Sequence, residues 1–172
     1  MDAVRVLTIH KSKGLDFKVV IMPFCNWELD MKKGNLTNYL WCSPTTEPFN
    51  QLSILPVEYS KRLENSIFER EYFDEKMHRY IDNLNLAYVA FTRAKHRLIC
   101  FSEKVKFPEN ISKINTLAQL LMWSFTNENI PEIEKPEILT KHFDAEQYIF
   151  EFGEKTQITS GEQPNTTNEL TN

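Results

Sequence analysis

The stretch "VRVLTIHKSKGLDFKVVIMP", residues 4–23, decides how this chain is read. Its two ends resemble each other and its centre stands apart. Residues 4–9 alternate and are rich in β-branched side chains, so they read as a strand. Residues 18–22 form a continuous apolar run ended by Pro23, which suits a buried parallel strand. Between them stand His10, Lys11, Ser12, Lys13, Gly14 and Asp16. A turn needs a glycine for backbone reasons, but it does not need that set of ionisable groups. One reading is a solvated loop, with a Gly turn and Ser12 as a helix N-cap. The other is an anion or nucleotide site. There a glycine lets backbone N–H groups approach a phosphate, Lys11 and Lys13 supply compact charge, and Asp16 accepts from a sugar hydroxyl. It is not a phosphate loop of the Walker type, because no G-x-x-x-x-G-K-[ST] occurs in the 172 residues.

Downstream of this stretch the pattern changes twice. Residues 24–56 hold Pro44, Pro48, Pro56, Gly34 and several Asn, and read as a loop-rich insertion with a short strand at residues 39–42. From about residue 60 to 95 the spacing turns helical. Leu63, Ile67, Phe73, Met77, Tyr80, Leu84 and Tyr88 define one side, and charged residues fill the other. That length predicts a break, placed near residues 82–85. Residues 97–102 read as the next strand, 114–125 as another helix and 148–152 as a late strand. The polar stretch from residue 153 to 172 reads as a linker or tail. Strand, turn, strand, long helix and strand together predict an α/β fold with a mostly parallel sheet. In such sheets ligands sit at the carboxyl ends of strands.

A second informative segment is "NLNLAYVAFTRAKHRLICFS", residues 83–102. Ala87, Ala90 and Ala94 form a small-residue stripe that lets a helix pack closely on a neighbour. Arg93, Lys95 and His96 gather at the helix's C-terminal end, where cations suit the dipole. A basic last turn is the plain reading. A rigidly presented arginine that meets a phosphate is the functional one, since a guanidinium stabilises charge developing in phosphoryl transfer.

Charge and cysteine content narrow the classes. The net charge of −4 argues against an autonomous nucleic-acid binder. Yet residues 1–20 carry +2 and residues 90–106 carry +4, while residues 128–172 carry −7 and mask both. The three cysteines, Cys25, Cys42 and Cys100, are odd in number and widely spaced. They read as reduced thiols rather than a disulfide framework. The four histidines show no metal-ligand spacing, so no metal site is expected. No apolar run is long enough to span a bilayer and no leader pattern is visible, so the expected location is cytoplasmic.

Taken together, the two segments resemble a known family. Residues 4–23 are similar to motif V, and "NLAYVAFTRAKHRL" is similar to motif VI, of superfamily one DNA helicases of the UvrD/Rep type. The wording looks closest to the RecB/AddA helicase–nuclease branch. The resemblance covers about residues 3–102.

It implies a RecA-like three-layer sandwich, incomplete here, with a loop and helix insertion. The implied layout is a second RecA-like domain over residues 1–127, with motif V at 4–23, the insertion at 24–82 and motif VI at 83–97. An acidic extension follows at 128–152, then the polar tail at 153–172. In the family, ATP binds between two RecA-like domains and single-stranded DNA crosses both.

By resemblance, Thr8, His10 and Lys11 lie on the DNA side. Gly14, Asp16 and Lys13 lie toward the nucleotide, with Asp16 where the family usually has a longer Glu at the ribose. Arg93 matches the motif VI arginine that reaches the γ-phosphate, with Tyr88 and Thr92 as supports. Asp82 fits the family's acidic pair upstream, whereas Asn83 and Asn85 depart from it.

The Walker lysine, the Mg²⁺-binding acids and the first RecA-like domain have no counterpart in these residues. The expectation is therefore a C-terminal piece of an ATP-dependent DNA helicase of repair or recombination, inactive alone. ATP and Mg²⁺ would bind in the complete parent, not stably in this piece. Expected partners are single-stranded or duplex DNA, the first RecA-like domain and a helicase–nuclease partner subunit, with no membrane. A nuclease domain is common in that branch, but no nuclease motif is visible here. The alternative is a non-enzymatic, degenerate helicase-like module that binds DNA or a protein.

Overall fold

The structure, a computed structural model, describes residues 3–30, 38–127 and 137–154. Its elements in chain order are β1 (Phe17–Met22), β2 (Tyr39–Cys42), β3 (Leu55–Glu58), α1 (Glu69–Phe91) and β4 (Ala94–Cys100). After these come α2 (Leu117–Thr126), α3 (Glu137–Lys141), β5 (Phe143–Asp144) and β6 (Ile149–Phe150). Short 3-10 turns at His10–Ser12 and Lys61–Asn65 precede β1 and α1.

β1 and β4 pair in parallel, with Val19 opposite Arg97, Val20 opposite Leu98, Ile21 opposite Ile99 and Met22 opposite Cys100. A parallel pair needs a long crossover, and the insertion plus α1 supply it. Alternation along the strands sorts the side chains into two faces. Val20 and Met22 turn toward α1 and α2, where they meet Ala87, Ala90, Leu29 and Leu117. The alanines carry no bulk, so α1 lies close against the strands. Leu29 and Leu117 are fully buried there, each contributing about 1.5–3 kcal/mol of transfer free energy. The opposite face, with Val19 at 47% and Ile21 at 60% exposure, is open among the described residues. Among the described residues one helical layer is thus present, not the two that a three-layer sandwich has.

The insertion is more ordered than its prolines predict. β2 and β3 form an antiparallel ladder. Leu40, Cys42, Tyr59, Leu63 and Tyr72 close a small second core beneath it. Tyr59 stacks on Tyr72 at 5.0 Å, donates to the Asp30 carboxylate at 2.9 Å and lies under the Arg79 guanidinium. Burial, then the Asp30 carboxylate, pushes the Tyr59 phenol well above its ordinary range. This ties the insertion to α1 and to the segment after β1.

Several expectations need correction. Residues 4–9 form no strand: Val4 and Val6 are 96% and 93% exposed, and no described strand lies beside them to complete a ladder. Ser12 is not a helix N-cap. It is buried inside the 3-10 turn and its Oγ donates to the Ile9 carbonyl. The helix break falls at residues 66–68, where the Ser66 hydroxyl accepts from the Phe68 N–H, and not at 82–85. Asn83 does not interrupt α1, because its amide donates to both the Arg79 and Leu29 carbonyls at 3.0 Å. The strand expected at 97–102 begins earlier, at Ala94, so Lys95 and His96 belong to β4 and not to a helix end. The helix expected at 114–125 starts at Leu117, behind a Thr116/Gln119 capping box. The late strand is only Ile149–Phe150, paired with Phe143–Asp144. That hairpin packs on α2 through Phe150, whose ring stacks on Phe125 at 4.3 Å. The expected acidic extension thus includes folded residues, while its 128–136 part and the tail from 155 onward lie outside the described residues.

Candidate functional site

Arg93 occupies the turn between α1 and β4. Its backbone carbonyl accepts from the Phe17 N–H at 2.9 Å, which sets the amino ends of β1 and β4 side by side. The guanidinium then reaches across to the loop before β1. Nη1 donates to the Leu15 carbonyl at 3.1 Å, Nε to the Val89 carbonyl at 2.8 Å and Nη2 to the Thr92 hydroxyl at 2.8 Å. Thr92 Oγ1 donates in turn to the Tyr88 carbonyl at 2.7 Å. A guanidinium has five N–H donors. Three are engaged among the described residues, which leaves one on each Nη to meet an anion.

The loop from Thr8 to Asp16 is the other half of the site. The 3-10 turn buries Ser12 and exposes its neighbours His10, Lys11 and Lys13. The Lys11 N–H donates to the Thr8 hydroxyl at 3.3 Å, which shapes the entry to the turn. Gly14 has φ +80°, a left-handed conformation that side-chain-bearing residues rarely adopt, and nothing lies within 4 Å of where a Cβ would stand. Its role is therefore conformational: it turns the chain so that Leu15 presents its carbonyl to Arg93. Asp16 pairs with Lys95 at 2.9 Å, both more than half exposed.

Thr8, His10, Lys11, Lys13, Gly14 and Asp16 thus lie on one loop, and the structure joins Gly14–Asp16 to Arg93. His10 and Lys11 sit at the far end of that loop, in the exposed turn. The Leu15 carbonyl was missed by the sequence reading, and Lys95, placed there at a helix end, was not matched to Asp16. No local signal announces either, because both contacts arise from parallel pairing of segments some 78 positions apart. Among the described residues no group of three or more His, Cys, Asp or Glu could hold a metal ion.

The profile of the UvrD-like helicase C-terminal domain matches residues 1–104. The chain belongs to that family. For a UvrD-like helicase C-terminal domain, a RecA-like α/β fold is the family's architecture, and the parallel pair with its helices is the part of it seen here. Among curated proteins, an ATP-dependent helicase/nuclease subunit of Clostridioides difficile (strain 630) is 31% identical over 146 residues, 80% of this chain and 10% of that protein. The corresponding subunit of Clostridium botulinum (strain Alaska E43 / Type E3) is 35% identical over 106 residues, 57% of this chain and 8% of that protein. The chain therefore spans about a tenth of the length of these relatives. No solved structure gives a match.

Proposed function

We propose that this domain is the second RecA-like half of an ATP-dependent DNA helicase motor, of helicase–nuclease type, that works in DNA repair or recombination. The observation that carries the reading is the Arg93 guanidinium. It is held by Leu15, Val89 and Thr92 at the junction of the two motif segments, with two N–H groups to spare. In this reading Arg93 stabilises charge on the γ-phosphoryl group as its bond breaks. Gly14, Asp16 and Lys13 face the nucleotide, and Thr8, His10 and Lys11 face the DNA strand. A first RecA-like domain contributes the phosphate loop and the Mg²⁺ ligands. A helicase–nuclease partner subunit fits the relatives' printed name. The open Val19 and Ile21 face of the sheet supports a domain that other parts of a parent complete, since parallel sheets are covered on both faces.

The test is steady-state ATP hydrolysis with single-stranded DNA in excess, by this chain alone and joined to a first RecA-like domain. The chain alone is expected at background. The joined protein is expected to show DNA-stimulated turnover, and Arg93→Ala to lower kcat by about 10³-fold or more with ATP affinity much less affected. Arg93→Lys should rescue only in part, because lysine lacks the planar fork. Turnover by the pure 172-residue chain, or a folded Arg93→Ala protein with normal kcat, would overturn the shared-site reading.

A further inference from the structure

Two cysteines that the motifs leave unused meet at the carboxyl ends of β1 and β4. Cys100 lies opposite Met22 in the ladder, and its thiol contacts the Met22 sulfur at 3.9 Å. The chain after β1 folds back on the chain after β4. The Phe101 N–H donates to the Met22 carbonyl and the Cys25 N–H to the Phe101 carbonyl, both at 2.8 Å. The Ser102 hydroxyl donates to the Cys25 carbonyl at 3.1 Å. Cys25 is thereby pinned on both sides of its Cα beside residues 100–102, which brings its thiol beside that of Cys100, close enough for each to shift the other's acidity. Segments joined by backbone hydrogen bonds lie about 5 Å apart, within the Cα separation a disulfide spans. One partner is fully buried and the other is exposed.

We propose that Cys25 and Cys100 form a peroxide-oxidisable dithiol, in which Cys100 is oxidised first and Cys25 closes the disulfide. The hydrogen bond from Cys25 holds the Cys100 thiol below its ordinary range, against the effect of burial. The same bond, then burial, pushes Cys25 up. Cys100 is therefore the more readily ionised of the two and the one that meets solvent, and thiolates are the reactive form. Its sulfur attacks one oxygen of hydrogen peroxide, the O–O bond breaks, and sulfenic acid forms with release of hydroxide. The sulfenic acid carries no charge, so the Coulombic part of what holds the Cys25 thiol up is gone. The Cys25 sulfur then attacks the Cys100 sulfur: the S–S bond forms, the S–O bond breaks, and hydroxide leaves with the Cys25 proton as water. Two thiols and one peroxide give one disulfide and two waters. Cys42 takes no part, being buried in the separate core beneath β2 and β3. The pair is independent of the nucleotide reading, because it sits at the ends of β1 and β4 opposite to Gly14 and Arg93.

The experiment uses the purified full chain, reduced and then exposed to a small excess of hydrogen peroxide. Free thiols are blocked by alkylation under denaturing conditions. Peptides are mapped by mass spectrometry without reductant. The expected product is a Cys25 peptide linked to a Cys100 peptide, reversed by dithiothreitol, with Cys42 alkylated. Cys100→Ser, at an exposed position, should leave Cys25 fully alkylated after peroxide. Cys25→Ser, if folded, should leave a Cys100 sulfenic acid that dimedone traps and that excess peroxide carries on to sulfinic acid. The proposal is overturned by Cys100–Cys100 dimers, by Cys100 sulfinic acid in the wild-type chain with Cys25 intact, by a Cys42 disulfide, or by no oxidation. The wild-type map and Cys100→Ser decide it whether or not Cys25→Ser folds.

Discussion

Arg93 is held by three different kinds of acceptor: a carbonyl of its own helix, a carbonyl across the chain and a neighbouring hydroxyl. The hydroxyl is the adjustable one. Thr92 Oγ1 gives its proton to the Tyr88 carbonyl, so its lone pairs face Arg93. Thr92→Val keeps the shape and removes the hydroxyl's bonds to Tyr88, Val89 and Arg93. Thr92 is exposed, so folding should change little. Losing one hydrogen bond to a charged group is worth about 1.5 kcal/mol, or roughly tenfold in kcat. The expected outcome in the joined protein is that fall in kcat with KM for ATP nearly constant, and recovery in Thr92→Ser. An unchanged kcat in Thr92→Val would show that Leu15 and Val89 suffice to aim the guanidinium. The Asp16–Lys95 pair stands differently: both partners are more than half exposed, and such pairs contribute about 0–1 kcal/mol.

α1 does two jobs, and its composition shows both. Its inner face carries Ala87 and Ala90, each no more than 5% exposed, directly under the Val20 and Met22 face of β1. That close contact fixes where the helix ends, and so where Arg93 emerges. Ala90→Leu inserts three carbons into a packed contact and should cost about 1–3 kcal/mol, read as a lower denaturation midpoint at constant m-value. A midpoint equal to wild type would mean that α1 can retreat from the sheet. At this scale the sequence was legible where a signal was local. The β-branched run of β1 and the Tyr39–Cys42 strand appeared where expected, as did Ala87 and Ala90 of the alanine stripe, whereas Ala94 opens β4. It was not legible where a side chain overruled a local pattern. Asn83 resembles a helix breaker until its amide is seen bonded to two carbonyls. Residues 4–9 have a strand's composition, but a strand is a relation between two segments, and no described strand pairs with them. The sequence named the 8–16 loop and Arg93, which the structure brings together, but not the contacts that join them. The Arg93–Leu15 bond depends on a parallel register that no short window contains.

For the molecule as a whole, charge placement matters more than its total. The net charge is −4, while Lys11 and Lys13 project from an exposed turn on the loop that ends at the Arg93 contact. A nucleic-acid strand that meets only this surface, with no nucleotide present to engage Lys13, gains two phosphate contacts, plus whatever His10 adds. It is repelled by the rest of the chain at any distance the Debye length leaves unscreened. Binding of single-stranded DNA to the isolated chain should therefore be weak, with a dissociation constant of about 10⁻⁴ M or above at physiological salt. Counterion release from a single strand gives a slope of about −0.7 in log K against log salt for each phosphate neutralised. Two lysines thus predict a slope of about −1.4, and Lys11→Ala should halve it. Fluorescence anisotropy of a labelled oligonucleotide at several salt concentrations gives these quantities directly. Tight binding with no salt dependence would place recognition on the exposed aromatic residues, such as Trp41 and Tyr39 of β2, where bases stack without releasing ions. That outcome would favour a self-sufficient binding module over half of a motor.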